Sequence, residues 1–124
     1  MDNRTDEEHG EEVCECRRME DIRAMHGKRG VVCGVYRQCA IQYKMNAKPV
    51  YRGHAAIKLE DETEVLLEPE WKREAVRSKE EIAMYEGKRV KVKGVIYHIP
   101  PEPEEPIAHL VMPCIADIEF IHSV

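Results

Sequence analysis

Residues 18–35, RMEDIRAMHGKRGVVCGV, align without gaps on residues 78–95, SKEEIAMYEGKRVKVKGV, with eight of eighteen positions identical. A chain that carries one unit twice must pack both copies around whatever lies between them. In each copy, apolar residues at helical spacing lead to a glycine. These are Met19, Ile22 and Met25 before Gly27, then Ile82 and Tyr85 before Gly87. Such a glycine suits the left-handed position just beyond a helix C-terminus. Ser78 and Glu81 have the spacing of a capping box, which marks the start of the second helix. Beyond Gly-Lys-Arg, Val90, Val92, Gly94 and Ile96 alternate with Lys91 and Lys93, the pattern of a half-buried strand with lysines on its outer face. The first strand allows two registers. Either Val31, Cys33, Val35, Cys39 and Ile41 point inward, or, by analogy with the second copy, Val32, Gly34 and Tyr36 do.

Between the copies, residues 54–59 and 63–67 are apolar runs joined by Glu60-Asp61-Glu62, which reads as a hairpin. After the second copy comes a proline-rich loop, residues 99–113, and then a final strand in which Ile118 and Phe120 share one face. Residues 1–16 carry Asp6, Glu7, Glu8, Glu11 and Glu12 with little to bury, so a disordered acidic tail is expected there and a single domain over 17–124.

The order strand, strand, strand, helix, strand, strand resembles the oligonucleotide/oligosaccharide-binding (OB) fold over about residues 27–122. The GKR-V-GV strand openings and Gly34, placed where such barrels bend sharply, carry the resemblance. It implies a mainly β protein: a five-stranded Greek-key barrel with one helix between strands three and four and a short helix at the N-terminal end. It also implies a ligand face on strands two and three, flanked by the loops after strands one and four. A fold hosts many functions, so the site itself must decide.

Residues 22–58 contain eight cations and no acid, a net +8 inside a chain whose total is −5. Within that segment Tyr43 and Tyr51 interleave with Lys44, Lys48 and Arg52. Cations follow a phosphate backbone while aromatic faces stack bases at ~1–3 kcal/mol each. Single-stranded nucleic acid is therefore the leading ligand, with Tyr36, Arg37, Tyr43, Lys44, Lys48, Tyr51, Arg52 and Lys58 as its candidate contacts. Against this stand Glu64 and Glu68 on or near strand three and Glu102, Glu104 and Glu105 in the proline-rich loop, all of which repel phosphate. The competing reading is a protein-binding module, an adaptor, inhibitor or immunity-type protein, that uses the same basic loop and residues 99–113 as a semi-rigid arm.

Catalysis has no support: GxSxG, HExxH, P-loop and dinucleotide glycine patterns are all missing, and no cofactor is implied. Cys14 and Cys16 lack the spacing of a zinc site, so no metal is expected. Five scattered cysteines suggest reduced thiols, with Cys33, Cys39 and Cys114 as small buried hydrophobes. Trp71, the only tryptophan, is expected to plug the barrel beneath the helix. No apolar stretch is long enough to cross a membrane, and a cytoplasmic location is expected.

Overall fold

The two copies of the repeated unit become α1 (Met19–Ala24) with β1 (Arg29–Gln38), and α2 (Lys79–Tyr85) with β4 (Arg89–Tyr97). Between them lie β2 (Ala55–Lys58), β3 (Glu64–Leu67) and a single 3-10 turn (Arg73–Ala75), and β5 (Cys114–Ser123) follows. These elements come from a computed structural model that describes residues 13–40, 48, 51–105 and 111–124. The strands close into a barrel in the order β1-β2-β3-β5-β4, with β4 returning to β1. Every pair is antiparallel except β3 with β5. The mainly β closed barrel, its short N-terminal helix and the helix between β3 and β4 match the architecture expected from the residues, and the barrel is compatible with an OB-like fold.

The repeat has a geometric consequence. β1 and β4 pair with Val32 opposite Val92, which relates the two copies by a local two-fold axis. At one end Gly27 N–H donates to the Ile96 carbonyl at 2.6 Å and Ile96 N–H to that of Lys28 at 2.8 Å. At the other, Gly87 N–H donates to the Tyr36 carbonyl at 2.8 Å and Tyr36 N–H to that of Lys88 at 2.9 Å. Gly27 and Gly87 both adopt φ 79°, a left-handed conformation that favours glycine. A Cβ on Gly34 would collide with the carbonyl oxygen of Lys58, and one on Gly94 with that of Ala116. These glycines are where the next strand crosses closest, which is how the barrel turns its corners.

Val32 and Tyr36 point inward with Ile57, Val65, Leu67, Val90, Val92, Ile96 and Ile115, so the register taken from the second copy is the one adopted. α1 adds the buried Ile22, Met25 just beyond it reaches over Gly30, and α2 adds Ile82 and Tyr85 at the Tyr36 end, with the two tyrosine rings 5.8 Å apart. Each such large apolar side chain contributes ~1.5–3 kcal/mol by leaving water.

Three sequence expectations change. Residues 14–16 belong to the fold: Cys14 forms a disulfide with Cys33, and Cys16, fully buried, bridges to Val32 beside β1. Residues 1–12 lie outside the described residues. Cys33 is therefore paired rather than a free buried thiol, whereas Cys16, Cys39 and Cys114 are free. Burial pushes the thiols of Cys16 and Cys114 up to about 12 and that of Cys39 to about 11, so they are inert hydrophobes at neutral pH. Trp71 is half-buried and donates its indole N–H to the Pro101 carbonyl at 3.1 Å, tying down the start of the proline-rich loop. Tyr36 and Tyr85, not Trp71, fill the space beneath α2.

Candidate nucleic-acid interface

Tyr36 is fully buried, so it has no face to offer a base. Its hydroxyl donates to Glu81 Oε2 at 2.7 Å, and the same carboxylate accepts Arg77 Nε at 2.7 Å and Nη2 at 2.9 Å. Burial alone would raise the Glu81 carboxyl, but the hydrogen bonds from Arg77 and Tyr36 and the guanidinium charge outweigh it and hold the group below the usual carboxylate range. Burial, followed by the bond to Glu81, pushes the Tyr36 hydroxyl up. Glu81 N–H donates to the capping Ser78 Oγ at 3.1 Å, while the Glu81 side chain turns to Arg77 and Tyr36. The capping box is thus only half formed, because a desolvated guanidinium and phenol bind a carboxylate better than an exposed amide does.

The other described candidates lie at the surface. Tyr43 and Lys44 lie outside the described residues. Lys48, Tyr51 and Arg52 are exposed on the chain between β1 and β2, Tyr51 at 68%. Arg37 is exposed and pairs with Glu86 at 3.4 Å, and Lys58 pairs with Glu62 at 2.8 Å. Pairs this open contribute ~0–1 kcal/mol and yield readily to a phosphate.

Among the described residues, the outer face of β2 and β3 carries an apolar patch. Ala56 and Leu66, with Cys114 of β5, form a second apolar cluster covered by Cys39, Tyr97 and Met112. Glu64 is exposed opposite Lys58, whereas Glu68 lies past the end of β3 at φ 70° and is buried. Burial pushes the Glu68 carboxyl above its usual range despite the nearby Lys72 charge.

Cations and aromatics meet instead on the outer face of β4 and its neighbours. Residues directly opposite in an antiparallel pair share a face. One row across the sheet is Cys33, Lys91 and His122, and the next is Val31, Lys93 and Phe120. The rings of Phe120 and His122 stack at 4.3 Å with planes 19° apart. Along β4 the series continues to Arg89, opposite Val35, whose other neighbour is Lys58 of β2. Lys93, Lys91, Arg89 and Lys58 therefore line one continuous surface beside two stacked rings. The alternation of lysines in β4 was visible in the residues. Its alignment with Phe120 and His122 depends on the β4–β5 register, which has a bulge between Lys93 and Val95 and a left-handed Asp117. No local periodicity encodes that register.

Among the described residues, no group of three or more His, Cys, Asp or Glu side chains is arranged to hold a metal ion, and no helix is long and apolar enough to cross a membrane. No protein-family model matches the chain, and no curated protein or solved structure matches it either.

Proposed function

We propose that this protein is a non-catalytic binding module of the OB superfamily, and that it takes single-stranded nucleic acid across the outer face of β4 and β5. The stacked Phe120 and His122 beside Lys91 and Lys93 carry this reading, because a base-stacking platform flanked by cations is the chemistry of sequence-tolerant single-strand binding. Lys91, Lys93 and Arg89 contact phosphates, and Lys58 and Arg37 extend the track once their exposed carboxylates give way. Lys48, Tyr51 and Arg52 supply a second, peripheral contact.

The test is fluorescence anisotropy of a labelled mixed-sequence oligonucleotide at low and moderate salt. Binding should fall linearly with the logarithm of salt, and the double variant Lys91→Gln/Lys93→Gln should lower that slope by about 2. Phe120→Leu keeps apolar burial but loses the ring, and should weaken binding roughly tenfold. Salt-independent binding, or none at low salt, would reject the reading. A protein partner is favoured by one observation, an open groove of about 350 Å3 between α2 and β5, lined by Met84, Tyr85, Ile118 and Ile121, with Met84 54% exposed.

A further inference from the structure

We infer that a small cavity beside β1 is a site for a phosphate monoester, the group that ends a phosphorylated nucleic-acid strand. The choice of a strand end rests on the proposed function, while the cavity and its charge stand without it.

The cavity lies in a seam of the barrel. The Val31 carbonyl accepts from the N–H groups of Glu15 and Cys16, and Cys33 N–H donates to the Cys16 carbonyl at 3.1 Å, so the N-terminal segment holds this edge of β1. Two residues later Val35 is paired with Lys58 of β2. The edge of β1 therefore changes partner between Cys33 and Val35, and Gly34, which has no side chain, lies at the change-over. The N-terminal segment closes the far side, where Glu60 N–H at the β2–β3 turn donates to the Arg17 carbonyl at 3.1 Å. Between them is a partly enclosed space of about 240 Å3, with Cys33, Gly34, Lys58, Leu59 and Arg89 in its walls. It is smaller than the about 300–1,000 Å3 of a pocket for a drug-sized molecule, so it suits a compact group rather than a base with its sugar.

The charge points to an anion. Arg89 and Lys58 flank Val35 on adjacent strands, so their side chains share its face. Among the described residues no carboxylate pairs with Arg89. Lys58 pairs with Glu62, whose side chain is 75% exposed, and so open a pair yields readily. Glu60 also lines the cavity, but Arg17 and Arg18 hold its carboxylate at 3.9 and 3.2 Å. Arg17, Arg18, Lys58 and Arg89 against Glu60 and Glu62 leave a net +2. A phosphate monoester carries about −1.5 to −2 at neutral pH. It also presents free oxygens that the planar guanidinium of Arg89 can grip in a bidentate pair. An internal phosphodiester has a single charge and continues on both sides, which a partly enclosed space does not accommodate. Arg89 begins the cationic series of β4, so a strand lying along that series can finish in the cavity.

The test uses internally labelled single-stranded DNA of one sequence with a phosphate at one end, at the other, or at neither. On the full chain a terminal phosphate should tighten binding about tenfold at low salt. Arg89→Gln should abolish that gain, whereas Lys93→Gln, further along β4, should weaken every form and leave the gain intact. No gain from a phosphate at either end, or a gain that survives Arg89→Gln, would overturn the strand-end assignment while the function stands. Inorganic phosphate tests the cavity by itself. Titrated into the full chain, it should move the amide signals of Val35, Lys58, Leu59 and Arg89, and unmoved signals would refute the site. If no form of the DNA binds, the function fails and this titration alone decides the inference. Signals that move with inorganic phosphate while a phosphorylated end adds nothing would assign the cavity to a free phosphate and reject the strand end.

Discussion

Tyr36→Phe isolates one hydrogen bond at the junction of helix and barrel. The substitution keeps the buried ring and its contact with Tyr85 and deletes only the hydroxyl that donates to Glu81 at 2.7 Å. A hydrogen bond to a charged acceptor contributes ~1.5–3 kcal/mol. Glu81 retains both bonds from Arg77, and its side chain is 19% exposed, so water replaces part of what is lost. The net cost should be about 1–2 kcal/mol, with Tm lower by about 5 °C. Urea unfolding of both proteins measures it. The sign with pH follows from the lowered Glu81 carboxyl. A depressed carboxylate adds stability that is fully present above its unfolded value of about 4.3 and is lost as pH falls through the folded value. The difference between Tyr36→Phe and the parent should therefore be full at pH 7 and shrink below about pH 4. Because Tyr36 is buried, oligonucleotide affinity should not change. A cost under about 0.5 kcal/mol at pH 7, or one independent of pH, would refute the network as described.

Other outcomes follow from the same structure. Gly94→Ala should destabilise by roughly 1–3 kcal/mol, because its methyl meets the Ala116 carbonyl, and Gly34→Ala should behave alike; equilibrium unfolding checks both. Thiol titration in denaturant without reductant should find three reactive groups, Cys16, Cys39 and Cys114, and reduction of the Cys14–Cys33 bridge should cost about 2–4 kcal/mol by freeing the unfolded chain. Glu68→Gln should raise stability at pH 7, since a buried carboxyl with a raised value is penalised when ionised; the gain should fade as pH falls through that folded value.

Much of the barrel was legible because the repeated unit carries its own punctuation. Gly27 and Gly87 end the helices, Gly34 and Gly94 turn the corners, and Val90 to Ile96 alternates cleanly. The hairpin was legible for the same local reason. The proposed binding face was not. Basic and aromatic residues next to each other in sequence, from Tyr43 to Arg52, pointed to one candidate site, whereas Phe120 and His122 meet Lys93 and Lys91 only through pairing between β4 and β5, which are far apart in sequence. Tyr36 illustrates the reverse error. Its type suits stacking, yet strand parity turns it inward, where the hydroxyl finds Glu81 across 45 residues of sequence. The Cys14–Cys33 bridge escaped notice for a related reason: acidic composition masks a short stretch that pairs with the edge of β1.

The most direct measurement is an amide chemical-shift titration of the full chain with a single-stranded oligonucleotide. Progressive shifts should gather at Arg89, Lys91, Lys93, Phe120 and His122, leaving Ala56, Leu66 and Cys114 unmoved. Shifts gathered instead on β2 and β3, or none at millimolar oligonucleotide, would contradict the placement of the ligand on the lysine face.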